Sequence, residues 1–556
     1  MKVTSLDYSI IIVYLAGIVC LGIWAGLKRR KAGEGSHYFL AGNTLTWPVI
    51  GLAMFAANIS TVHLVSLAES AYKYGLIYGN FEWMAGFTLI LLSLFFAPLY
   101  LRSKVPTLPD YLERRFNRNC RDWLAVISIV SAIVIHIGVA LFTAAWVLCG
   151  IMNIPPHSTI MGINALMFFI IALGVLTGIY TMIGGLLAVV MTESVQTILL
   201  LIGAVCITVV GYIHVGGWDA LVNTLATKPH PLAGNGIPES TGNFLNMLRG
   251  SDDASGLPWY SIFLGYPVIG IWYWCCDQTI VQRVLAAKDE NHARLGPLFC
   301  AALKILPVFF FVLPGIICVA LVQNNFFNGE APAAAADTYT FMITHMLPIG
   351  LKGLITAAML AAAMQTCSAA LNSTATLFSY DIFKRWRPET TDHKLVVIGK
   401  VTTVVATILA IILSPIFGHY STIIEGLNKL ISYIAPPITA VFLFGVFWKK
   451  ASGKAAYITL ITGAVIGFVL FVLDWNGIYK VNFMMTAFYL LLICSLMIYV
   501  FSNIYPEKLK DEAKLLVWES FKEPLKTSVH TGIFSNFKYL SAAVFTSFVI
   551  LYYIFR

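Results

Sequence analysis

Charge is scarce in this chain. Asp, Glu, Lys and Arg make up 11% of the 556 residues while 58% are apolar, whereas soluble globular proteins carry about 25% charged residues. That scarcity excludes an ordinary soluble domain. Spaced cysteine pairs are missing too. The ten cysteines fall almost entirely within apolar runs, so neither a disulfide framework nor a zinc site is expected. GGLLAVV and the other glycine clusters lack the strand–loop–helix setting of a phosphate loop. No nucleophile–base pair or metal cluster emerges, so an enzyme is not expected. The net charge of +9 is no sign of a nucleic-acid partner, because the basic residues sit in short segments beside the apolar runs, where they set orientation.

What remains is apolar length. Runs of about 20 residues recur from end to end, enough to cross a hydrocarbon core of about 30 Å as helices. Long unbroken runs rather than short alternating ones exclude a β-barrel. Fourteen spans are expected, at 7–27, 46–73, 78–101, 122–152, 158–181, 187–214, 258–284, 294–323, 347–382, 394–415, 419–448, 453–474, 480–502 and 536–556. Residues 7–27 are too long for a signal peptide and are followed by KRRK rather than a cleavage site. With the N-terminus outside, the inner segments hold most of the Lys and Arg. The outer segment 324–346 holds none, and 215–257 holds only Lys228 and Arg249. This distribution satisfies the positive-inside rule and places both termini outside a cell (inner or plasma) membrane. On the inner side, 503–535 contains KLKDEAKLLVWESFKEPLK, read as an amphipathic surface helix.

Two spans look interrupted. Span 258–284 has Gly265, Pro267 and Gly270 within GYPVIG, where proline removes a backbone donor and glycine weakens the helix. Span 46–73 has the polar cluster AANISTVH at similar depth. Counted from 46–73, these are the first and sixth core helices, the spacing that two five-helix repeats would give. An odd repeat length inverts the second copy. Discontinuous helices in matching positions point to a transport site at the bilayer midplane. The chain then divides into a leading helix and basic loop (1–45), a first repeat (46–214), an outer loop (215–257), a second repeat (258–448) and three C-terminal helices (449–556).

Ionisable groups inside spans cost about 2.5–3.5 kcal/mol each on insertion scales, so His63, Glu82, His136, Glu193, Asp277 and Lys304 each need a cavity or a partner. Glu82 in GNFEWM and Lys304 in FCAALKILP have no opposite charge within their own helix turn, so each must be served from another helix. A carboxylate, an ammonium, an imidazole and amides around a wet cavity suit a polyhydroxylated solute, whose hydroxyls both donate and accept. Acceptors are Glu82, Asn58 and Asn428; donors are Lys304, Tyr273 and Trp274. The last two also offer an aromatic face for the C–H side of a pyranose, and they share one helix face with Gly270. Ala362, Gln365 and Thr366 share another face. Its oxygens, opposite carbonyls released by a broken helix, either hold a sodium ion or bond back to their own helix.

The runs YFLAGNTLTWPVIGLAMFAANIS, GNFEWM, PTLPDYLERRFN, IWYWCCDQTIVQRVLAAK, LNSTATLFSYDIF and SYIAPPITAVFLFGVFWKK resemble, in order and over roughly 7–450, the sodium/glucose cotransporter branch of the sodium:solute symporter family. The resemblance implies an all-α LeuT-like fold, with one leading helix before an inverted five-plus-five core containing two broken helices. It implies sodium-coupled import of a neutral hexose such as glucose or galactose by alternating access. Alternatives are a symporter for inositol, another polyol or a sugar acid, proton coupling, or a sugar sensor that does not accumulate its ligand. It also implies a sugar site at Asn58, His63, Glu82, Trp274, Lys304 and Asn428, where Asn428 stands in place of a glutamine, and an inner aromatic gate at Tyr273. The sodium site would comprise the carbonyls of Ala56, Ile59 and Ala362 with Gln365 and Thr366. Gln365 stands where relatives have serine. Glu193 matches an aspartate on the cation exit path.

Overall fold

The computed structural model describes residues 4–28, 35–234, 237–419, 423–526, 532 and 535–556. Most of KRRK, residues 420–422 of the span expected at 419–448, and parts of 503–535 lie outside the described residues. Among the described residues the architecture is helical, with a single hairpin of two-residue strands, Thr159–Ile160 paired to Ile163–Asn164.

Among the described residues, 11 helical stretches are long and apolar enough to cross a membrane, against the fourteen expected. The difference has physical causes. Ala165–Val215 is 51 residues with non-helical backbone at Gly185 (φ 61°, ψ −164°). As one rod it would run about 77 Å, more than twice the hydrocarbon thickness. His63–Ser103 runs together two stretches around Gly75 (φ 78°). Trp47–Asn58 is short on its own, and Trp259–Leu285 is interrupted.

Burial sorts the helices into centre and rim. In Leu351–Trp386, 94% of the most apolar window is buried, against 22% in the leading helix and 28% in Gly453–Trp475. The central helix is rich in Ala, Ser and Thr, whose small side chains let neighbouring backbones approach. Asp392–Phe417 instead turns Val401, Ile408 and Ile412 outward, as suits a lipid-facing surface.

The first break lies where the polar cluster sits. Trp47–Asn58 starts with proline in its first turn, where no intrahelical donor is needed. It stops at Asn58. Ile59 (φ −76°, ψ 110°) and Ser60 (φ −114°, ψ 173°) are extended, and Thr61–Tyr74 begins anew. The second break corrects the sequence expectation. Trp259–Ile271 continues through Pro267 as helix, and after a π-helical turn, Trp272–Cys276, the chain breaks at Asp277 (φ −87°, ψ 124°). Asp277 caps the following helix by accepting the Thr279 N–H at 2.6 Å.

The GYPVIG glycine serves packing instead. A Cβ on Gly265 would lie 2.3 Å from the Met484 carbonyl oxygen, so Phe483–Ile504 approaches this helix backbone to backbone. Gly265→Ala should therefore lower stability by about 1–3 kcal/mol, read as a reduced thermal midpoint in detergent. Gly17→Ala, with nothing within 4 Å, should leave the midpoint unchanged. Equal midpoints for the two variants would contradict this packing.

The amphipathic helix expected in 503–535 is also corrected. The described part forms two single turns, Asp511–Lys514 and Glu523–Lys526. Between them Trp518 is buried, donates Nε1–H to the Phe95 carbonyl at 2.9 Å, and donates its backbone N–H to the Val446 carbonyl at 3.0 Å. Anchoring to the bundle end replaces helical continuity, and Pro524 prevents the second turn from extending backward. On the same face, Arg121 joins Asp110 (3.0 Å), Glu113 (2.7 Å) and Asp381 (2.7 Å). Arg115 donates to the Gly445 and Trp448 carbonyls at 2.8 Å each. The basic motif ERRFNRNCR thus closes the ends of two core helices.

Candidate functional site

The first break and the π-helical turn Trp272–Cys276 face one cavity of about 140 Å³. Asn58, His63, Glu82, Trp274, Lys304 and Asn428 all line it, and so does Tyr273. These seven side chains come from separate stretches of the chain: the end of Trp47–Asn58, the start of Thr61–Tyr74, the first turn of Asn80–Leu91, the π-helical turn 272–276, the end of Glu290–Leu303 and the helix Ile423–Phe447.

Glu82 and Lys304 serve each other. Lys304 Nζ lies 2.5 Å from Glu82 Oε2 and also donates to Asn58 Oδ1, and both charged side chains are buried. The ammonium sits 5.3 Å from the Trp274 ring centroid and 5.6 Å from that of Phe55, within cation–π range. Both ends of the pair are fixed by local structure. Glu82 is in a first helix turn, where a carboxylate is favoured by the unpaired backbone N–H groups. Lys304 sits at the C-cap of Glu290–Leu303, where a cation is favoured.

His63 has an assignable tautomer. The Ser60 backbone N–H donates to His63 Nδ1 at 3.3 Å. Nδ1 is therefore an acceptor, and the neutral ring carries its proton on Nε2, a donor. The same bond diverts the Ser60 N–H from the Ala56 carbonyl, its partner in a continuous helix.

Carbonyls at this helix end are the first requirement of a site for a hard cation. Thr366 supplies a hydroxyl, with Oγ1 3.5 Å from the Ala57 carbonyl and 3.4 Å from that of Ala362. The Ala57 carbonyl at the broken helix end and the Thr366 hydroxyl therefore lie together, and oxygen donors of this kind fit sodium. Thr366 also lines the cavity, so the candidate cation position adjoins it. Gln365 turns elsewhere. Its Nε2–H donates to the Glu193 carbonyl at 3.3 Å, and its Oε1 is buried without a protein partner.

Glu193 is wholly buried and ion-paired to Arg283 at 2.6 Å, with both side chains 0% exposed. Sequence inspection missed Arg283, because an arginine at the end of a span reads as a positive-inside flank. His136 lines the cavity and bonds through Nε2 to Asp277 Oδ2 at 3.1 Å, joining the third core helix to the second break. The aromatic wall is larger than sequence indicated. Tyr78, Phe81 and Tyr266 also line the cavity; the signal of the first two was spacing along Thr61–Leu91, hidden by the turn 75–79 between helices, and Tyr266 reads as one more aromatic of an apolar helix. Chemically, the cavity offers a buried ion pair, a ring N–H, two amides and aromatic faces. Its donors and acceptors suit reversible binding of a hydroxyl-rich molecule.

Residues 38–463 match the model of the sodium:solute symporter family. A sodium/glucose cotransporter 4 from Danio rerio is 30% identical over 488 residues, 84% of this chain and 72% of the relative. A sodium/myo-inositol cotransporter 2 from Sus scrofa is 31% identical over 487 residues, 84% of this chain and 70% of that one. A sodium/glucose cotransporter 1 from Ovis aries is 31% identical over 493 residues, covering 83% and 71%. Among solved structures, a Na+-coupled sialic acid symporter in a substrate-bound outward-open state aligns with a TM-score of 0.75 at 22% identity, covering 91% of this chain and all of that one. A nucleobase-cation-symport-1 family transporter aligns with a TM-score of 0.53 at 14% identity, covering 86% of this chain and 97% of that one. These likenesses show the fold to be the LeuT-like bundle with two broken helices.

Proposed function

Because this chain belongs to the sodium:solute symporter family, we propose that it imports a neutral monosaccharide of the glucose or galactose type together with sodium, by alternating access. That it is a multi-pass membrane protein and a sodium-coupled solute symporter follows from membership; the solute is the proposal. The observation that carries it is the gathering of Asn58, His63, Glu82, Trp274, Lys304 and Asn428 around one buried cavity whose wall contains the Lys304–Glu82 pair. In this reading Glu82 and Asn58 accept solute hydroxyls, while Lys304 and His63 Nε2 donate. Trp274 presents a ring face, Asn428 supplies an amide from the tenth core helix, and Tyr273 closes the inner side. A site with one lysine and one glutamate, and no arginine in the wall, matches a neutral solute better than a sugar acid. Inositol is the second reading, since the same cavity chemistry serves a cyclic polyol and a sodium/myo-inositol cotransporter is 31% identical to this chain.

Sodium would sit between the carbonyls of Ala56 and Ile59 in the first core helix and Ala362 with Thr366 in the eighth, with Gln365 at its edge and Glu193 on the exit route. Binding there holds the two helices together and orders Asn58 and His63, which flank the same break. Rocking of the core then opens the other side. A single ion crossing −100 mV supplies about 2.3 kcal/mol, and a tenfold sodium gradient adds about 1.4 kcal/mol. The sum, about 3.7 kcal/mol, supports roughly 500-fold accumulation at one ion per solute. We assign the repeats to 46–214 and 258–448, and both termini to the outside of the cell (inner or plasma) membrane.

The test is uptake of labelled glucose, galactose, myo-inositol and sialic acid into proteoliposomes with and without a sodium gradient. Sodium-driven hexose accumulation is expected. Preference for inositol would select the second reading, and uptake that ignores sodium but follows pH would contradict the coupling. Thr366→Ala should raise the half-saturating sodium concentration at least tenfold while Gln365→Ser keeps sodium dependence. An unchanged sodium response in Thr366→Ala would remove this residue from the ion site.

A further inference from the structure

The helix Phe537–Ile554 lies on the rim, outside the two assigned repeats, and most of it is exposed. Two of its buried side chains, Phe548 and Tyr552, reach the back of Asn80–Leu91, the helix whose first turn carries Glu82. A Cβ on Gly86 would lie 2.1 Å from the Phe548 ring, so ring and helix backbone are in direct contact. Nearer the site, the Tyr552 hydroxyl donates to Asn80 Oδ1 at 2.8 Å. Asn80 Nδ2 donates in turn to the Ile77 and Met247 carbonyls at 2.7 Å each, and the Met247 N–H donates to the Phe555 carbonyl at 2.6 Å. One amide thus ties together the turn Gly75–Gly79, the segment around Met247 and the end of the rim helix.

Asn80 is the first residue of its helix and Glu82 the third. Two residues turn a helix through about 200°, so Asn80 faces the rim helix while Glu82 faces Lys304. Any rotation or fraying of this turn moves both. Trp83 adds a second brace. Its ring lies 5.5 Å from that of Tyr552 and 5.8 Å from that of Phe555, and its Nε1–H donates to the Ile305 carbonyl at 3.4 Å. Each member of the Glu82–Lys304 pair therefore has a chain neighbour held from this side. Filling space does not account for the arrangement. Asn80 and Tyr552 are both buried, and a phenylalanine against a leucine would fill such a volume with no polar group to satisfy. The hydrogen bond adds what apolar contact lacks, a fixed direction.

We infer that Tyr552 is a positioning residue for solute binding: bonded to Asn80, it fixes the first turn of Asn80–Leu91 so that Glu82 stays against Lys304 at the cavity wall. The inference rests on the reading of Glu82 as a solute ligand. Its test is uptake kinetics in proteoliposomes with whichever of labelled D-glucose and myo-inositol the wild-type protein accumulates. Tyr552→Phe removes one oxygen and should raise KM about fivefold at unchanged kcat. Tyr553→Phe, the same change on the exposed side of the same helix, should behave as wild type. Asn80→Ala should raise KM at least as much, and adding Tyr552→Phe to it should change nothing further. In the Glu82→Gln background, Tyr552→Phe should likewise leave KM where it is. A purely structural role would lower the thermal midpoint and the yield of folded protein and leave KM alone. Wild-type KM in Tyr552→Phe, or the same rise on top of Glu82→Gln, would overturn the inference and leave the central site intact. Wild-type KM in Glu82→Gln itself, or no uptake of either solute by the wild-type protein, would instead overturn the reading of the site, and the inference with it.

Discussion

Lys304→Ala is expected to reduce solute uptake below about 1% of wild type. Two effects combine. The first is structural. Lys304 and Glu82 are buried at 2.5 Å from each other, and removing one partner of such a pair typically destabilises by about 3–5 kcal/mol because the other charge is left uncompensated. The second acts on binding. Hydrogen bonds to charged groups contribute about 1.5–3 kcal/mol each, and the ammonium also holds Asn58 and Glu82 at the cavity wall. Glu82→Gln separates the two effects. Its amide oxygen still accepts from Lys304 although the counter-charge is gone, so it should lose less stability than Lys304→Ala while KM rises at least thirtyfold. The double variant Lys304→Ala/Glu82→Ala should melt at a higher temperature than Lys304→Ala alone yet remain inactive. Uptake near wild type in Lys304→Ala would remove this pair from the site.

Arg283→Met is expected to have the largest effect on folding outside the cavity. Its guanidinium and the Glu193 carboxylate are 2.6 Å apart with neither side chain exposed. Losing the cation strands a carboxylate at a depth where water does not reach, again about 3–5 kcal/mol, visible as poor yield of monodisperse protein or a thermal midpoint several degrees lower. Arg283→Met/Glu193→Gln removes both charges and should recover most of that loss, because a neutral amide can bond locally without an ionic partner. If the single variant is as stable as wild type, the pair is not structurally coupled. If the double variant recovers stability but not sodium-driven uptake, Glu193 acts in transport as well as in packing.

How much of this was legible beforehand depended on what each residue could be confused with. Glu82 and Lys304 stood out because a charge in mid-span has few explanations, and the requirement that each find a partner on another helix was met by the other. The first break was legible for a similar reason: Asn58, Ser60 and His63 in an apolar run must face something wet. The second was misplaced by about ten residues. Proline and glycine are also tolerated in membrane helices for packing, and at Gly265 that use prevailed. Asp277 was a weaker signal, since its capping role depends on a chain turn that periodicity does not reveal. The surface helix failed because Trp518 is anchored by two backbone bonds to the bundle end, a tertiary contact with no local signature. The 11 long stretches join or leave out spans that the sequence reading separated: spans 158–181 and 187–214 run together as Ala165–Val215, which changes direction at Gly185 without losing its helical hydrogen bonding.

One coupled site for ion and solute is the centre of the account, and reciprocal binding tests it most directly. Solute affinity should be measured on purified protein in sodium chloride and in choline chloride, and sodium affinity with and without solute. Thr366 contacts the break that also carries Asn58, so each ligand should tighten the other by the same factor, at least fivefold or about 1 kcal/mol. Thr366→Ala should abolish that mutual tightening. Solute affinity indifferent to sodium in the wild-type protein would contradict the account.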